Sequence, residues 1–322
     1  VFVHGFSGWG DYEFRHHFLS YWGILGGDLN KYLNARGLDT HAASVDPYGS
    51  TWDRTCELYA QLTGTRTDYG KAHSEKYGHD RYGKDFTGKA LIDSWSAEDK
   101  VNLFGHSFGG TTIRYIAELM ANGNAEEIAA TPADEISPLF TGGKGDWIYS
   151  ITTLSTPHNG TTTIAFDGDM DPQPDTGVYD MYIDNAIAFN DDISTLPDVY
   201  YFSYSTSAAI RTEDGTYVAD KTVAEISSRS GIDRMGSYTG VTKGGVVIDE
   251  SWLDNDGTVN VISSRAPFGA PQTEFDESNI QPGVWNVMPT WRGDHTSLNG
   301  GILIHGEIRP LYIEMINRIN SL

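Results

Sequence analysis

Gly105-His106-Ser107-Phe108-Gly109 stands between an apolar run, Val101-Asn102-Leu103-Phe104, and a helix-like run from Thr111 to Met120. The run before it is short and strand-like. After it, Ile113, Ile116, Ala117 and Met120 fall at i, i+3, i+4 and i+7, one face of a helix. A chain that passes from strand to helix in so few residues must turn sharply, and glycine is favoured where a side chain would strike the backbone. The bare five-residue pattern recurs by chance, so its flanks carry the signal. The plain alternative is a glycine-rich turn with a capping serine.

Gly-x-Ser-x-Gly on a strand-turn-helix is the nucleophile elbow of the α/β-hydrolases. The turn lifts one hydroxyl to the C-terminal edge of a sheet, where a histidine can reach it. The rest of the chain reads consistently with that fold. Strands are expected at Val1–Val3, Thr40–Val45, Val101–Phe104, Trp147–Leu154, Val199–Ser205 and Gly244–Ile248. Helices are expected at Leu29–Arg36, Asp53–Leu62 and His305–Ile319. Strands alternating with helices imply an α/β fold with a mainly parallel central sheet and helices on both faces. With no internal repeat or low-complexity linker, the 322 residues read as a single α/β-hydrolase domain, 1–322. Thr63 to Gly88, rich in Gly, Tyr, His and charge, reads as a long irregular segment, and so long a loop is usually functional or held by something. Asp167 to Asp180, acidic and rich in Gly and Pro, reads as a loop.

The formal net charge is -22. Phosphate binding needs a basic surface, so nucleic acid is excluded as a partner, and anionic membranes would repel the chain. No apolar run approaches the ~20 residues that a transmembrane anchor needs. Cys56 is the only cysteine, so no intrachain disulfide can form. The chain opens inside an expected strand, so residues are expected upstream of Val1. Composition leaves the oligomeric state open.

A serine hydroxyl is a poor nucleophile without a base, an acid that orients the base, and donors for the oxyanion. In this fold the order along the chain is Ser, then Asp or Glu, then His. Seven of the histidines precede or neighbour the serine on the wrong side, which leaves His158, His295 and His305. His295, in the polar loop Gly293-Asp294-His295-Thr296, is the choice. His158 follows a strand too early, and His305 falls at the start of the last helix. For the acid, the turn Asp254-Asn255-Asp256-Gly257 offers two carboxylates, either of which could instead be a solvated turn residue. The oxyanion donors are expected from the N–H of Phe108, next to the nucleophile, and of Phe6, after the strand that ends at His4-Gly5. Asp53, His73 and His79 form a second group with zinc-ligand chemistry. Their wide spacing equally suits an Asp paired with Arg54 and two exposed histidines.

Taken together, Val3-His4-Gly5-Phe6-Ser7-Gly8-Trp9-Gly10, Trp52-Asp53-Arg54, Val101 to Gly110, Asn255-Asp256-Gly257, and above all Asp68-Tyr69-Gly70-Lys71-Ala72-His73 with Lys76-Tyr77-Gly78-His79, resemble the bacterial lipases of the staphylococcal and thermophilic Bacillus type. The resemblance covers most of the chain and is weakest between Ala165 and Pro197. It implies a catalytic triad of Ser107, Asp256 and His295, with oxyanion donors Phe6 and Phe108. It implies a structural Zn2+ held by Asp53, His73, His79 and Asp175, clamping an insertion at 53–95. It also implies a secreted, extracellular enzyme acting on ester or lipid substrates.

Two departures from that family matter. After Ser155-Thr156-Pro157-His158 only a short acidic loop stands where a long helical lid is expected, so 160–185 reads as a shortened lid region. Thr296-Ser297-Leu298-Asn299 after His295 carries no carboxylate, so calcium is not expected at the family's site. The expectation is a carboxylic ester hydrolase, a lipase or esterase, working through an acyl-enzyme. Its open cleft, lined by aromatics such as Phe6, Trp9, Phe18, Tyr21 or Trp22, would suit acylglycerols and bulky or polymeric esters. The alternatives are a thioesterase or peptidase on the same triad, and a non-enzymatic zinc-stabilised binding fold.

Overall fold

A computed structural model describes residues 1–165, 172–301 and 308–322. Its centre is a seven-stranded sheet of β1 (Phe2–Val3), β2 (Ala42–Ala43), β3 (Val101–His106), β4 (Ile148–Leu154), β5 (Tyr200–Tyr204), β6 (Gln272–Glu274) and β7 (Trp285–Val287). The spatial order is β6-β7-β5-β4-β3-β1-β2, and every neighbouring pair is parallel. Because all strands point one way, their C-terminal ends share one edge.

Successive strand residues face opposite sides of a sheet, and the two sides have separate cores. Val3, Ala43, Leu103 and Tyr201 pack on one side with residues of helix α2 (Thr51–Thr63) and helix α4 (Phe108–Asn122). Their neighbours Phe2, Ala42, Phe104 and Phe202 pack on the other. There they meet Leu29 and Leu33 of helix α1 (Leu29–Asn34), and Tyr312, Met315 and Ile319 of helix α5 (Arg309–Asn320). A sheet buried on both faces needs apolar residues at consecutive positions. The helix expected after the elbow is α4, and Ile113, Ile116, Ala117 and Met120 are all buried.

The structure corrects the reading of three segments. Thr63 to Gly88 is not irregular. It holds an antiparallel pair, Arg66–Asp68 with Tyr82–Asp85, around helix α3 (Lys71–Tyr77). These elements show no apolar periodicity because polar contacts hold them. Arg81 makes two 2.9 Å bonds to Asp68, and the buried Glu127 caps α3 by accepting from the N–H groups of Ala72 and His73. The Gly244–Ile248 strand is only Val247–Ile248, paired with Gly240–Val241 away from the central sheet. In the acidic loop, Gly177–Asp180 forms a helical turn capped by Thr176. The residues 166–171 of that loop, and His305 at the expected start of the last helix, lie outside the described residues.

Candidate active site and metal centre

Ser107 follows β3 directly and begins α4 at φ 55°, ψ -130°. A positive φ is costly for a residue with a Cβ. The turn is so tight that a Cβ on Gly109 would collide with the Val3 carbonyl, and one on Gly105 with the Gly109 carbonyl. Both glycines of the pentapeptide are therefore dictated by packing.

His295 lies in the loop after β7. Its Nε2 is 2.8 Å from Ser107 Oγ and its Nδ1 is 2.9 Å from Asp256 Oδ2. Asp256 cannot donate as a carboxylate, so Nδ1 carries the proton and Nε2 accepts from the serine. Asp256 is fully buried and every bond to it stabilises its charge. Thr206 Oγ1 donates to Oδ2 at 2.6 Å, and the N–H groups of Thr258 and Val259 donate to Oδ1 at 2.9 and 2.7 Å. The His295 N–H also donates to the Asp256 carbonyl at 3.0 Å. Asp254, the other carboxylate of that turn, points elsewhere and accepts from Ser207. His158 is buried beside Arg114 and Thr153. This arrangement can pass a proton from Ser107 to His295 while Asp256 balances the imidazolium.

Among the described residues, the backbone N–H groups of Phe6 and Phe108 have no hydrogen-bond partner. Phe6 reaches the site because its loop crosses the elbow: a Cβ on Gly5 would stand 2.7 Å from Ser107 Cβ. The fully buried Arg54 holds this loop, donating to the carbonyls of His4 and Asp46 and to Thr112 Oγ1, with its guanidinium over the Phe108 ring. Arg54 sits inside the Trp52-Asp53-Arg54 motif, but nothing in its sequence context separates this role from a surface ion pair.

Tyr21 and His106 extend the site beneath its surface. His106 Nε2 donates to the His295 carbonyl at 2.8 Å, and its Nδ1 accepts from Tyr21 OH at 2.5 Å. Tyr21 OH accepts in turn from the Gly5 N–H at 3.0 Å. Burial, with the nearby His295, lowers His106 to about 3, so it is neutral. Burial raises Tyr21 to about 12. Tyr21 and Trp22 are thus interior residues rather than cleft lining; Trp22 packs edge-on against Phe2 and Tyr312. Phe6 and Trp9 are half-buried, and Phe18 is exposed and stacked edge-on with Phe14. Only the composition of the pentapeptide pointed at His106, and no signal pointed at Thr206.

The metal-type cluster assembles from four segments. Asp53 comes from α2, His73 from α3, His79 from the turn after it, and Asp175 from the acidic loop. Each offers one ligand atom, and these atoms all lie within 4.8 Å of one another. His73 Nε2, His79 Nε2 and Asp53 Oδ1 are buried with no hydrogen-bond partner. Buried polar atoms are rarely left so, and the set fits a cation. His79 Nδ1 donates to the Asp80 carbonyl at 2.9 Å, which leaves the Nε2 lone pair facing the cluster. The His73 ring stacks on Trp52 at 4.8 Å. Asp175 holds φ at 65°, a strained value for a residue with a side chain. Two nitrogen and two oxygen donors suit a four-coordinate zinc-type ion.

Residues 1–173 and 167–303 match the family model described as "Lipase-like, C-terminal domain". The chain is 33% identical over 355 residues to a lipase of Staphylococcus epidermidis, with 93% of this chain and 49% of that protein covered. It thus spans about half the length of the curated relatives it matches. EstA from Clostridium botulinum superposes with a TM-score of 0.91 at 31% identity, covering all of this chain and 87% of the other. The Staphylococcus hyicus lipase superposes with a TM-score of 0.87 at 30% identity, covering all of this chain and 95% of the other. The central sheet and these neighbours make the fold that of an α/β-hydrolase. No described helix is long and apolar enough to cross a membrane.

Proposed function

The chain belongs to the family of the lipase-like C-terminal domain, and from that premise we propose that it is a serine carboxylic ester hydrolase. The observation that carries this reading is the continuous hydrogen-bond line Ser107–His295–Asp256 at 2.8 and 2.9 Å. Ser107 Oγ attacks the ester carbonyl carbon while its proton passes to His295 Nε2. The N–H groups of Phe6 and Phe108 donate to the oxyanion, where preorganised donors stabilise charge most. Collapse expels the alcohol, which takes the proton from His295. Water activated by His295 then attacks the acyl-enzyme, releases the acid and restores Ser107.

Asp53, His73, His79 and Asp175 would hold a metal ion, which we take to be zinc. Bound there, it would cross-link α2, α3 and the acidic loop through these four side chains, a folding role rather than a catalytic one. In this reading 1–322 is one domain, 53–95 is a metal-clamped insertion, and 160–185 is a shortened lid. Phe14 and Phe18 are exposed and Phe6 and Trp9 half-buried, and in this reading they belong to an open cleft. Such a cleft admits acylglycerols and bulky or polymeric esters, substrates met outside the cell. The test is a chain-length series of esters, from short acyl chains to long triacylglycerols, with a polyester film included. Turnover of p-nitrophenyl esters well above that of matched thioesters and amides supports the reading. Preference for either of the others overturns it.

A further inference from the structure

Two arginines are buried in the core, and only one is well provided for. Arg54 has three oxygen acceptors, and the carboxylates of Glu57 and Asp46 stand near enough to favour its charge. Arg114, on α4, is 3% exposed. Its Nη2 donates to Asn190 Oδ1 at 2.8 Å, its Nη1 donates to His158 Nδ1 at 3.3 Å, and the guanidinium lies over the Trp285 ring at 6.0 Å. His158 is held neutral, its pKa pushed far down by burial and by Arg114 itself. Among the described residues no carboxylate pairs with Arg114, and its Nε has no partner. Burial lowers its pKa to about 10, which still leaves it cationic at neutral pH. Buried charges are normally paired.

Beside this guanidinium lies a pocket of about 280 Å³. Tyr201 and Trp285 also line it, both nearly inaccessible, and Ile193, Pro267 and Phe268 add apolar walls. Tyr201 OH accepts from the Leu196 N–H at 2.9 Å, which leaves its own proton free to donate. Tyr201 and Trp285 sit at the starts of β5 and β7, whereas Ser107 follows the end of β3. The pocket lies on the α4 face of the sheet, and none of its lining residues belongs to the active site.

We propose that this pocket is a binding site for a small monoanionic carboxylate, with Arg114 as its counter-charge and the Tyr201 hydroxyl as a second donor. The apolar walls accommodate a short hydrocarbon tail. Asp191 at the rim and the net charge of -22 disfavour anions of higher charge. The site stands whether or not the hydrolase reading does, because it shares no residue with the triad or the metal cluster.

Thermal unfolding of the whole chain in acetate tests it against MES, a bulky sulfonate, at equal pH and ionic strength. A ligand that binds only the native state stabilises by mass action, so Tm is expected to rise saturably with acetate. The rise is about 5 °C at a hundredfold excess over Kd. Arg114→Met should abolish the saturable rise. If that variant does not fold, Thr195→Glu places a carboxylate on the pocket wall and should suppress the acetate response. Equal responses to acetate and MES in the wild type, or an undiminished acetate response in either variant, would overturn the proposal.

Discussion

His106 Nε2 donates to the carbonyl oxygen of His295 at 2.8 Å, so one histidine positions the backbone of another. Only one direction of protons is consistent. A carbonyl can only accept, so Nε2 carries the hydrogen and Nδ1 accepts from Tyr21, whose oxygen accepts from the Gly5 N–H. The loop that supplies the Phe6 amide and the loop that supplies His295 are thereby joined through two buried side chains. Small misplacements of reacting groups are expensive: about 1 Å can cost 10²-fold. Tyr21→Phe should lower kcat by about 10- to 100-fold with KM little changed, measured on a soluble p-nitrophenyl ester. An unchanged kcat would mean the loops hold themselves.

His106 also sets a pH dependence whose sign follows from its burial. Its folded pKa, about 3, is below the unfolded value near 6.5. The unfolded state therefore binds more protons between those values, and stability falls as pH drops from about 6.5 toward 3. His106→Gln removes this group. The stability difference between wild type and variant, from denaturant unfolding, should move in the variant's favour as pH falls through that window. A difference constant with pH would mean that His106 is accessible to protons.

Asp256→Asn keeps the shape of the acid but removes the charge that fixes the His295 tautomer. Loss of about 10⁴ in kcat is expected, the scale seen when a triad Asp is so changed. Asp254→Asn, two residues away, should leave kcat near the wild-type value because Asp254 bonds Ser207 instead. Steady-state kinetics of the pair separates two carboxylates that the chemistry of the turn alone does not distinguish.

Much of the site was legible because its chemistry is ordered along the chain. A nucleophile on a strand-turn-helix leaves few positions for a late histidine, and His295 followed by elimination. The elbow was legible because β3 and α4 are long and apolar. β6 and β7 were missed: three residues each, with Gln272–Glu274 exposed and polar, they offer no periodicity to read. The hairpin around α3 was missed because ion pairs and caps hold it rather than an apolar face. Tyr21 and Trp22 look like cleft lining in the sequence because an aromatic residue outside a periodic segment carries no sign of its direction. The single turn of sequence around Asp256 could not reveal Thr206, which comes from 50 residues away.

Removal of the metal should loosen the fold before it touches the chemistry. At free metal a thousandfold above Kd, binding contributes about 4 kcal/mol. Dialysis against a chelator, or His73→Ala, should lower Tm accordingly. Residual kcat measured well below the new Tm should stay near wild type. Metal analysis of the isolated protein should give one equivalent of zinc. Full Tm in the chelator-treated, metal-free protein would refute the clamp.

The proposed open cleft would give a rate that rises smoothly as a soluble ester passes its micellar limit. A sharp jump at that limit would show that something covers Ser107 in solution.

The central claim is that Ser107 carries the acyl group. A p-nitrophenyl phosphonate should inactivate the wild-type chain with one equivalent bound, and mass spectrometry should find the adduct on the peptide containing Ser107. Ser107→Ala should take up no label and lose about 10⁶ in kcat. Label on another residue, or a Ser107→Ala protein that keeps its esterase activity, would contradict the account.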